Sequence, residues 1–150
     1  MNAGLTGNKL KFGWCSSCSF ASLNYNLHFM ASKKTVVLGA SANPARYSNL
    51  AINRLAAHDH PTIAIGKKEG KVGEIDIITE HPEEKDVDTI TLYLNATNQK
   101  PYYDYILSLH PKRIIFNPGT ENDELIELAR EQGIKTLEAC TLVMLSTGQY

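Results

Sequence analysis

The chain has 150 residues, of which 43% are hydrophobic and 21% charged, and its formal net charge is −1. This is the size and composition of one soluble globular domain. The balanced charge provides no electrostatic footprint for nucleic acid, and no apolar run reaches the roughly 20 residues that a membrane span needs. The three cysteines, an odd and small number without a clear secretory signal, favour free thiols in a reducing cytoplasm.

The composition of the chain changes near residue 30. Residues 1–29 are rich in Gly, Ser and Asn without a sustained hydrophobic period, whereas the sequence MASKK that begins at Met30 resembles the start of a cytosolic protein. We therefore expect residues 1–29 to be a disordered leader or an upstream mis-start, and residues 30–150 to form the folded domain. Cys15 and Cys18 fall in this leader, and without a second pair of ligands we expect no structural zinc there.

Short apolar runs with β-branched residues predict the strands of the domain. In chain order these strands are Thr35–Leu38, Thr62–Ile65, an edge strand at Glu74–Ile78, Asp88–Leu94, Arg113–Phe116 and Ile134–Leu137. Amphipathic spacing predicts three helices: Tyr47–His58, one capped by Asn98, and one opened by a Thr120–Asp123 capping box that runs to Gln132, with Gly133 after it. The segment CTLVMLS, residues 140–146, fits either a helix or a strand.

The alternation of strands and helices predicts βαβ units, which build a parallel sheet with right-handed crossovers. We therefore predict an α/β fold, a Rossmann-like three-layer parallel sheet of five to six strands with helices on both faces. The 35–38 strand is expected at the centre of the sheet and the 88–94 strand beside it. One face of the first helix is expected to hold Tyr47, Leu50, Ala51, Leu55 and His58.

The loop after the first strand is the first candidate binding site, because ligands of open parallel sheets bind at the carboxyl ends of the strands. Gly39 permits a sharp turn, and the small Ala40 and Ser41 let a ligand approach the main chain. The next helix, in the sequence NPARYSN, starts without an acid and contains Arg46, whereas the helix in TENDELIE starts with several acids. A phosphate is therefore predicted at the first helix start. The alternative is a plain turn beside a solvated arginine.

The exit of the second strand narrows the choice of ligand. An Asp or Glu near this point would hold the ribose hydroxyls of NAD, but the chain has Gly66, Lys67 and Lys68. Two cations favour a phosphorylated ribose, which both NADP and coenzyme A contain. Two solvated lysines in a turn remain the alternative interpretation.

Several segments, taken in order, resemble a known family. They are VVLGASANPARYSNLAINRL, Gly73, VDTITLYLN and IIFNPGTENDELIELAREQGIKTLEACTLVML, and they span residues 32–146. Together they resemble the small stand-alone CoA-binding domain proteins, which are similar to the amino-terminal domain of the succinyl-CoA synthetase alpha subunit. The resemblance implies a Rossmann-like fold that holds the ADP part of coenzyme A at the Gly-Ala-Ser loop.

The resemblance also implies individual site residues. They are Gly39, Ala40, Ser41, Pro44 and Arg46 in the loop, Gly66, Lys67 and Lys68 at the second strand exit, Asn95, Asn117, Pro118 and Gly119 along the pantetheine arm, and Cys140. The chain departs from many family members at two places. They carry Asn-Pro where this chain has Gly66-Lys67, and a Trp-Gln type segment at residues 116–119. The synthetase's active-site histidine lies in a second domain, and no histidine here has a comparable glycine-alanine setting.

These patterns together predict a cytoplasmic protein that binds coenzyme A or an acyl-CoA, with no metal, nucleic acid or membrane partner. We expect no catalysis of its own, because no nucleophile–base–acid set is recognisable. The alternatives are an NADP-dependent oxidoreductase fragment and a nucleotide-sensing interaction module, a homodimer through the apolar C-terminal segment. Cys140 is either a buried thiol or one that faces the ligand. His58 and His60, where a helix passes into a loop, are expected at the surface.

Overall fold

A computed structural model describes residues 31–150 of the chain. Within this range the strands of a single sheet are β1 Thr35–Ala40, β2 Thr62–Gly66, β3 Gly70–Val72, β4 Ile75–Ile78, β5 Thr89–Leu92, β6 Arg113–Phe116 and β7 Lys135–Glu138. The helices are α1 Tyr47–Ala57, α2 Ala96–Gln99, a 3₁₀ turn at Lys100–Tyr102, α3 Tyr103–Ser108, α4 Asp123–Glu131 and α5 Thr141–Ser146. The predictions for residues 1–29, with Cys15 and Cys18, lie outside the described residues.

The strand order is β3-β4-β2-β1-β5-β6-β7. β1 pairs in parallel with β2 on one side and with β5 on the other, and parallel pairing continues to β4, β6 and β7. The predicted α/β, Rossmann-like parallel sheet with the first strand central is therefore confirmed. The strand count was too low, because the three-residue β3, which begins with a glycine, carries too little pattern to be recognised. β3 runs antiparallel to β4 and takes the edge position that was predicted for β4.

Each face of the sheet carries its own hydrophobic core. On one face, Val36 and Leu38 of β1 pack with residues of β5, β6, α3 and α4. On the other face, Val37 and Ala40 pack with residues of α1, β4 and α5. β1 is therefore buried on both sides, as its continuous apolar run requires, and the fold has the three predicted layers.

The buried face of α1 differs from the predicted one. Tyr47 is 72% exposed and Leu50 is 45% exposed, and Ala57 ends the helix before His58. The buried residues of α1 are Ser48, Asn49, Ala51, Ile52 and Leu55. The buried face thus includes two polar residues, of which Asn49 braces the loop that precedes the helix. A prediction that follows apolar residues alone leaves these two out and places the buried face too close to Tyr47.

Asparagines cap the helices that follow β5 and β6. The Asn95 side chain accepts a hydrogen bond from the Asn98 N–H at 2.9 Å, so Asn95 and not Asn98 is the N-cap of α2. Asn122, and not Thr120, caps α4 by accepting from the Leu125 N–H at 3.3 Å. The Thr120 hydroxyl instead donates to the carbonyl oxygen of Asn117. In both cases the sequence holds two residues within three positions that can cap a helix, Asn95 or Asn98 for α2 and Thr120 or Asn122 for α4.

The ends of the remaining helices follow from local chemistry. Gly133 has φ 73° and follows α4, with its N–H bonded to the Arg130 carbonyl and the Ile134 N–H bonded to the Ala129 carbonyl. This is the predicted C′ glycine in a Schellman arrangement. The segment that fitted either state, residues 140–146, contains the helix α5. Among the described residues, no helix has the length and apolar character needed to cross a membrane.

Candidate functional site

A cavity of about 740 Å³ opens at the carboxyl ends of β1, β2, β5 and β6. The chain passes from β1 to β2 on one side and places β5 on the other, so the cavity lies at the switch point where ligands of such sheets bind. Its lining residues are Gly39, Ala40, Ser41, Ala42, Asn43, Arg46, Tyr47, Ser48, Lys67, Lys68, Glu69, Tyr93, Leu94, Asn95, Asn98, Pro118, Gly119 and Thr120. The volume is within the range of small-molecule sites.

Gly39 brings the first loop against the exit of β5. Its φ of 90° is a left-handed conformation, and a Cβ there would lie 2.9 Å from the carbonyl carbon of Tyr93. The Tyr93 N–H also donates to the Leu38 carbonyl at 2.8 Å. A side chain at position 39 would therefore clash with the Tyr93 backbone, and the positive φ angle would be strained for any residue other than glycine.

Ser41 retains a hydroxyl proton that can be donated to a ligand. Its Oγ accepts from the Asn43 N–H at 3.2 Å, which uses a lone pair and not the proton. The Ser41 carbonyl accepts from the Asn49 side chain at 3.1 Å, and Asn53 in turn donates to Asn49. The loop is thus braced by the first two turns of α1.

The start of α1 is open to an anion. Its N-cap is Arg46, whose side chain makes no capping hydrogen bond within the described residues, and its first turn contains no acid. The start of α4 differs, because Asn122 caps it and Asp123 and Glu124 stand in its first turn. Tyr47 and Ser48, the first two residues of α1, line the cavity, so the positive end of the helix dipole lies beside it without an acid in the first turn.

Three exposed basic side chains line the cavity within the described range: Arg46, Lys67 and Lys68. Glu69 contributes an acid to the same lining. Gly66 precedes the lysines but lies outside the lining and is buried. A Cβ at Gly66 would lie 2.5 Å from the Ala40 carbonyl oxygen, so this glycine permits the close approach of β2 to the first loop.

The opposite side of the cavity consists of neutral groups from the exits of β5 and β6. Leu94, Asn95 and Asn98 come from the first exit, and Pro118 to Thr120 come from the second. The Gly119 N–H donates to both carboxylate oxygens of Glu121, at 3.0 and 2.9 Å. The backbone N–H groups of Glu121 itself and of Gly119 lower the pKa of this carboxyl. The second exit loop therefore already carries its own anion.

Four of the predicted site residues do not line the cavity: Pro44, Gly66, Asn117 and Cys140. Pro44 is exposed, whereas Asn117 is 3% exposed. The Asn117 side chain donates to the Thr91 hydroxyl and the Leu92 carbonyl, both in β5, and accepts from the Thr141 N–H at 2.8 Å. Its side chain thus fastens the sheet to α5. Cys140 is a half-exposed free thiol at the N-cap of α5 and also lies outside the lining.

Sequence reasoning missed several lining residues, among them Tyr47, Tyr93 and Asn98. The Tyr93 hydroxyl is buried without a hydrogen-bond partner in the part of the chain that the structure describes, and burial raises the pKa of this phenol. Tyr47 was assigned to the packed face of α1, although its 72% exposure places it at the mouth of the cavity. The signal for Tyr93 was its position directly after the end of β5, since ligands are expected at strand exits.

The fold and the cavity define the class of the protein: a Rossmann-like domain with a site at the carboxyl edge of its parallel strands. Comparison with protein-family models gives a match to the CoA binding domain family over residues 33–146. The chain belongs to this family, as its resemblance in sequence had predicted. No curated protein matches the chain.

Solved structures of similar proteins share this fold. The crystal structure of an uncharacterized protein is 53% identical, covers 80% of this chain and 99% of its own, and has a TM-score of 0.78. A hypothetical protein from Pyrococcus horikoshii OT3 is 19% identical, with 79% of this chain and 84% of its own covered and a TM-score of 0.67. The cell-free ID.343 protein from Thermus thermophilus is 16% identical, with 79% and 91% covered and a TM-score of 0.70. The last two likenesses concern the fold alone.

Proposed function

We propose that this protein binds coenzyme A or an acyl-CoA in the cavity at the carboxyl edge of its sheet, without catalysis of its own. The observation that carries the proposal is the joint presence of an acid-free helix start and three basic side chains around one cavity. Membership of the CoA binding domain family supports the same ligand class.

The chemistry of the donors fits the charged part of coenzyme A. The pyrophosphate would bind at residues 39–41 and the start of α1, where the Ser41 hydroxyl, the main-chain N–H groups and the guanidinium of Arg46 are available as donors. Lys67 and Lys68 would hold the phosphate on the ribose, since both are exposed on the β2 side of the same cavity.

The uncharged part of coenzyme A fits the other side of the cavity. A pantetheine arm carries amides and methyl groups, and Leu94, Pro118 and the side chain of Asn95 offer the matching apolar and amide surfaces. In this arrangement Asn117 supports the wall from behind rather than contacting the ligand, because its amide is already bonded to Thr91, Leu92 and Thr141.

Thermal unfolding with coenzyme A, dephospho-coenzyme A, NADP, NAD and ADP tests the ligand class. A ligand at 100 times its dissociation constant adds about 2.7 kcal/mol of stability, which raises the melting temperature by several degrees. The largest shift is expected with coenzyme A. A larger shift with NADP would instead favour the oxidoreductase alternative, and no shift with any of the five would favour the interaction module. Unchanged acyl-CoA after incubation with the protein is the result expected for binding without catalysis.

The lysine pair is tested by the double variant Lys67→Ala, Lys68→Ala. Its affinity for coenzyme A is expected to fall about tenfold, the effect of losing charge contacts to one phosphate. Its affinity for dephospho-coenzyme A, which lacks that phosphate, should stay at the wild-type value. Lys135→Ala removes an exposed lysine on β7, away from the cavity, and serves as the control. An equal loss for both ligands would contradict the assignment of the lysines to the ribose phosphate.

A further inference from the structure

Two segments provide the neutral lining residues of the cavity. The β5 loop, residues 93–98, follows β5 and includes the first residues of α2, and the β6 loop, residues 117–122, follows β6. The parallel pairing of the two strands ends at Leu92 and Phe116. Beyond this pair, the separation of the two loops is set by side chains and not by the sheet.

Gln99 joins these two loops from behind the cavity. It is 0% exposed and does not belong to the lining. Its amide nitrogen donates to the Leu94 carbonyl and to the Thr120 carbonyl, both at 2.7 Å. Leu94 and Thr120 both line the cavity, so a single buried amide connects its two neutral walls.

The oxygen of the same amide anchors the link to a helix start. Gln99 Oε1 accepts from the Asn122 amide nitrogen at 2.8 Å, and Asn122 caps α4. Asn122 also donates to the Tyr103 hydroxyl at 2.8 Å, at the start of α3. The two amide protons of Gln99 are both used, and its oxygen has a partner, so the side chain is fixed in one orientation. A buried amide satisfied in this way defines geometry more strongly than apolar contact does.

We propose that Gln99 is a positioning residue that sets the width of the cavity between the β5 loop and the β6 loop, and thereby the binding of the pantetheine arm. This rests on the proposed function, because the arm is the part of coenzyme A that would pass between these loops. The nucleotide part binds on the other side of β1, at Arg46 and the lysine pair, and is independent of this width.

Replacement of Gln99 by methionine tests the proposal, because it keeps the length of the side chain and removes all three hydrogen bonds. In Gln99→Met the affinity for coenzyme A is expected to fall about tenfold, whereas the affinity for adenosine 3′,5′-bisphosphate should change by less than about twofold. Titration calorimetry measures both. Gln132→Met makes the same chemical change at an exposed position after α4 and should leave both affinities unchanged.

Hydrogen exchange in the ligand-free protein provides a second readout. Amides of residues 95–98 and 119–122 are expected to exchange faster together in Gln99→Met than in Gln132→Met. If the wild-type protein binds neither compound, the proposed function fails, and the exchange rates still decide whether Gln99 holds the loops. If Gln99 had a purely structural role, Gln99→Met would lower the affinity for both ligands equally, and this result would overturn the proposal. Unchanged affinity for coenzyme A, or unchanged exchange rates, would overturn it as well.

A second variant keeps the test valid if Gln99→Met does not fold. Gln99→Asn keeps a neutral buried amide, but its side chain is one methylene shorter and cannot reach both the Leu94 and the Thr120 carbonyls. It should show the same selective loss of affinity for coenzyme A, whereas the affinity for adenosine 3′,5′-bisphosphate should change by less than about twofold. Unchanged affinity for coenzyme A, or an equal loss for both ligands, would overturn the proposal.

Discussion

At the scale of single residues, two glycines make the site possible by their lack of a side chain. Gly39 faces the backbone of Tyr93, and Gly66 faces the carbonyl of Ala40, so the exits of β1, β2 and β5 lie close together. The loop after β1 therefore requires a residue at position 39 that tolerates a positive φ angle, and free space in place of a side chain at both glycines.

A comparison of Gly39→Ala with Gly148→Ala is expected to separate the cost of the backbone contact from the cost of the positive φ angle. At Gly39 the added methyl group meets backbone at 2.9 Å in addition to the positive φ, and we expect a loss of about 3 kcal/mol or more in the free energy of unfolding. Gly148 has φ 69° with open space around it, so Gly148→Ala should cost only about 1 kcal/mol. Urea unfolding measures both. Equal losses would mean that the contact with Tyr93 does not limit position 39.

The residues that shape the candidate site differ in how readily the sequence reveals them. Gly39, Ser41, Arg46 and the two lysines are recognisable because their chemistry acts locally, within one loop. Gln99 could not be recognised, since its partners Leu94 and Thr120 come together only when β5 and β6 pair. Asn117 was recognised as important through resemblance, but its bonds to Thr91 and Thr141 depend on packing that no local pattern encodes.

At the scale of elements, periodicity predicted the existence of α1 and the position of the strands but not the face that α1 buries. Leu50 and Leu55 both contributed to the predicted face, yet Leu50 is 45% exposed and Leu55 is 0% exposed. The difference arises because the sheet selects the face around Ile52 and Leu55, while buried Ser48 and Asn49 support the loop. A hydrophobic period alone does not reveal buried polar residues with a local partner.

The two leucines of α1 offer a matched pair of substitutions. Leu55→Ala removes a fully buried side chain from the core beneath α1 and should lower the free energy of unfolding by about 3 kcal/mol. Leu50→Ala makes the same change on the exposed side and should alter it by less than about 1 kcal/mol. Thermal or urea unfolding compares them directly. A cost at Leu50 close to that at Leu55 would show that α1 uses the face predicted from the sequence.

At the scale of the whole molecule, the edge of the sheet opposite the cavity is closed by contacts between distant segments. Tyr150, which is 5% exposed, has its hydroxyl 2.7 Å from the Thr35 hydroxyl, and Arg113 lies over its ring at 4.6 Å. The alternation of elements predicted the parallel sheet, its centre and its carboxyl-edge site. It did not predict this closure, because the contacts join Tyr150 to residues that are distant in sequence, as far away as Thr35.

His60 belongs to the same edge and was wrongly expected at the surface, since it is 6% exposed. Its Nδ1 accepts from the Lys33 N–H at 3.1 Å, and its ring lies 5.0 Å from that of Tyr150. Burial lowers the pKa of His60, and the nearby charges of His58, Lys33 and Arg113 lower it further, with Asp88 opposing them. Protonation at Nδ1 would also remove the bond from Lys33, so the folded protein favours the neutral imidazole.

This lowered pKa predicts that acid destabilises the fold. Near the unfolded value of about 6.5 the unfolded chain binds more protons at His60 than the folded chain does, so stability rises with pH there. The contribution of His60 is present above that pH and is lost as the pH falls toward its lowered folded pKa. Urea midpoints at pH 7.5 and 5.5 should therefore differ more for the wild type than for His60→Asn. His110→Asn, at an exposed position with φ 42°, should keep the wild-type difference. A pH dependence that persists unchanged in His60→Asn would assign the effect to other groups at this edge.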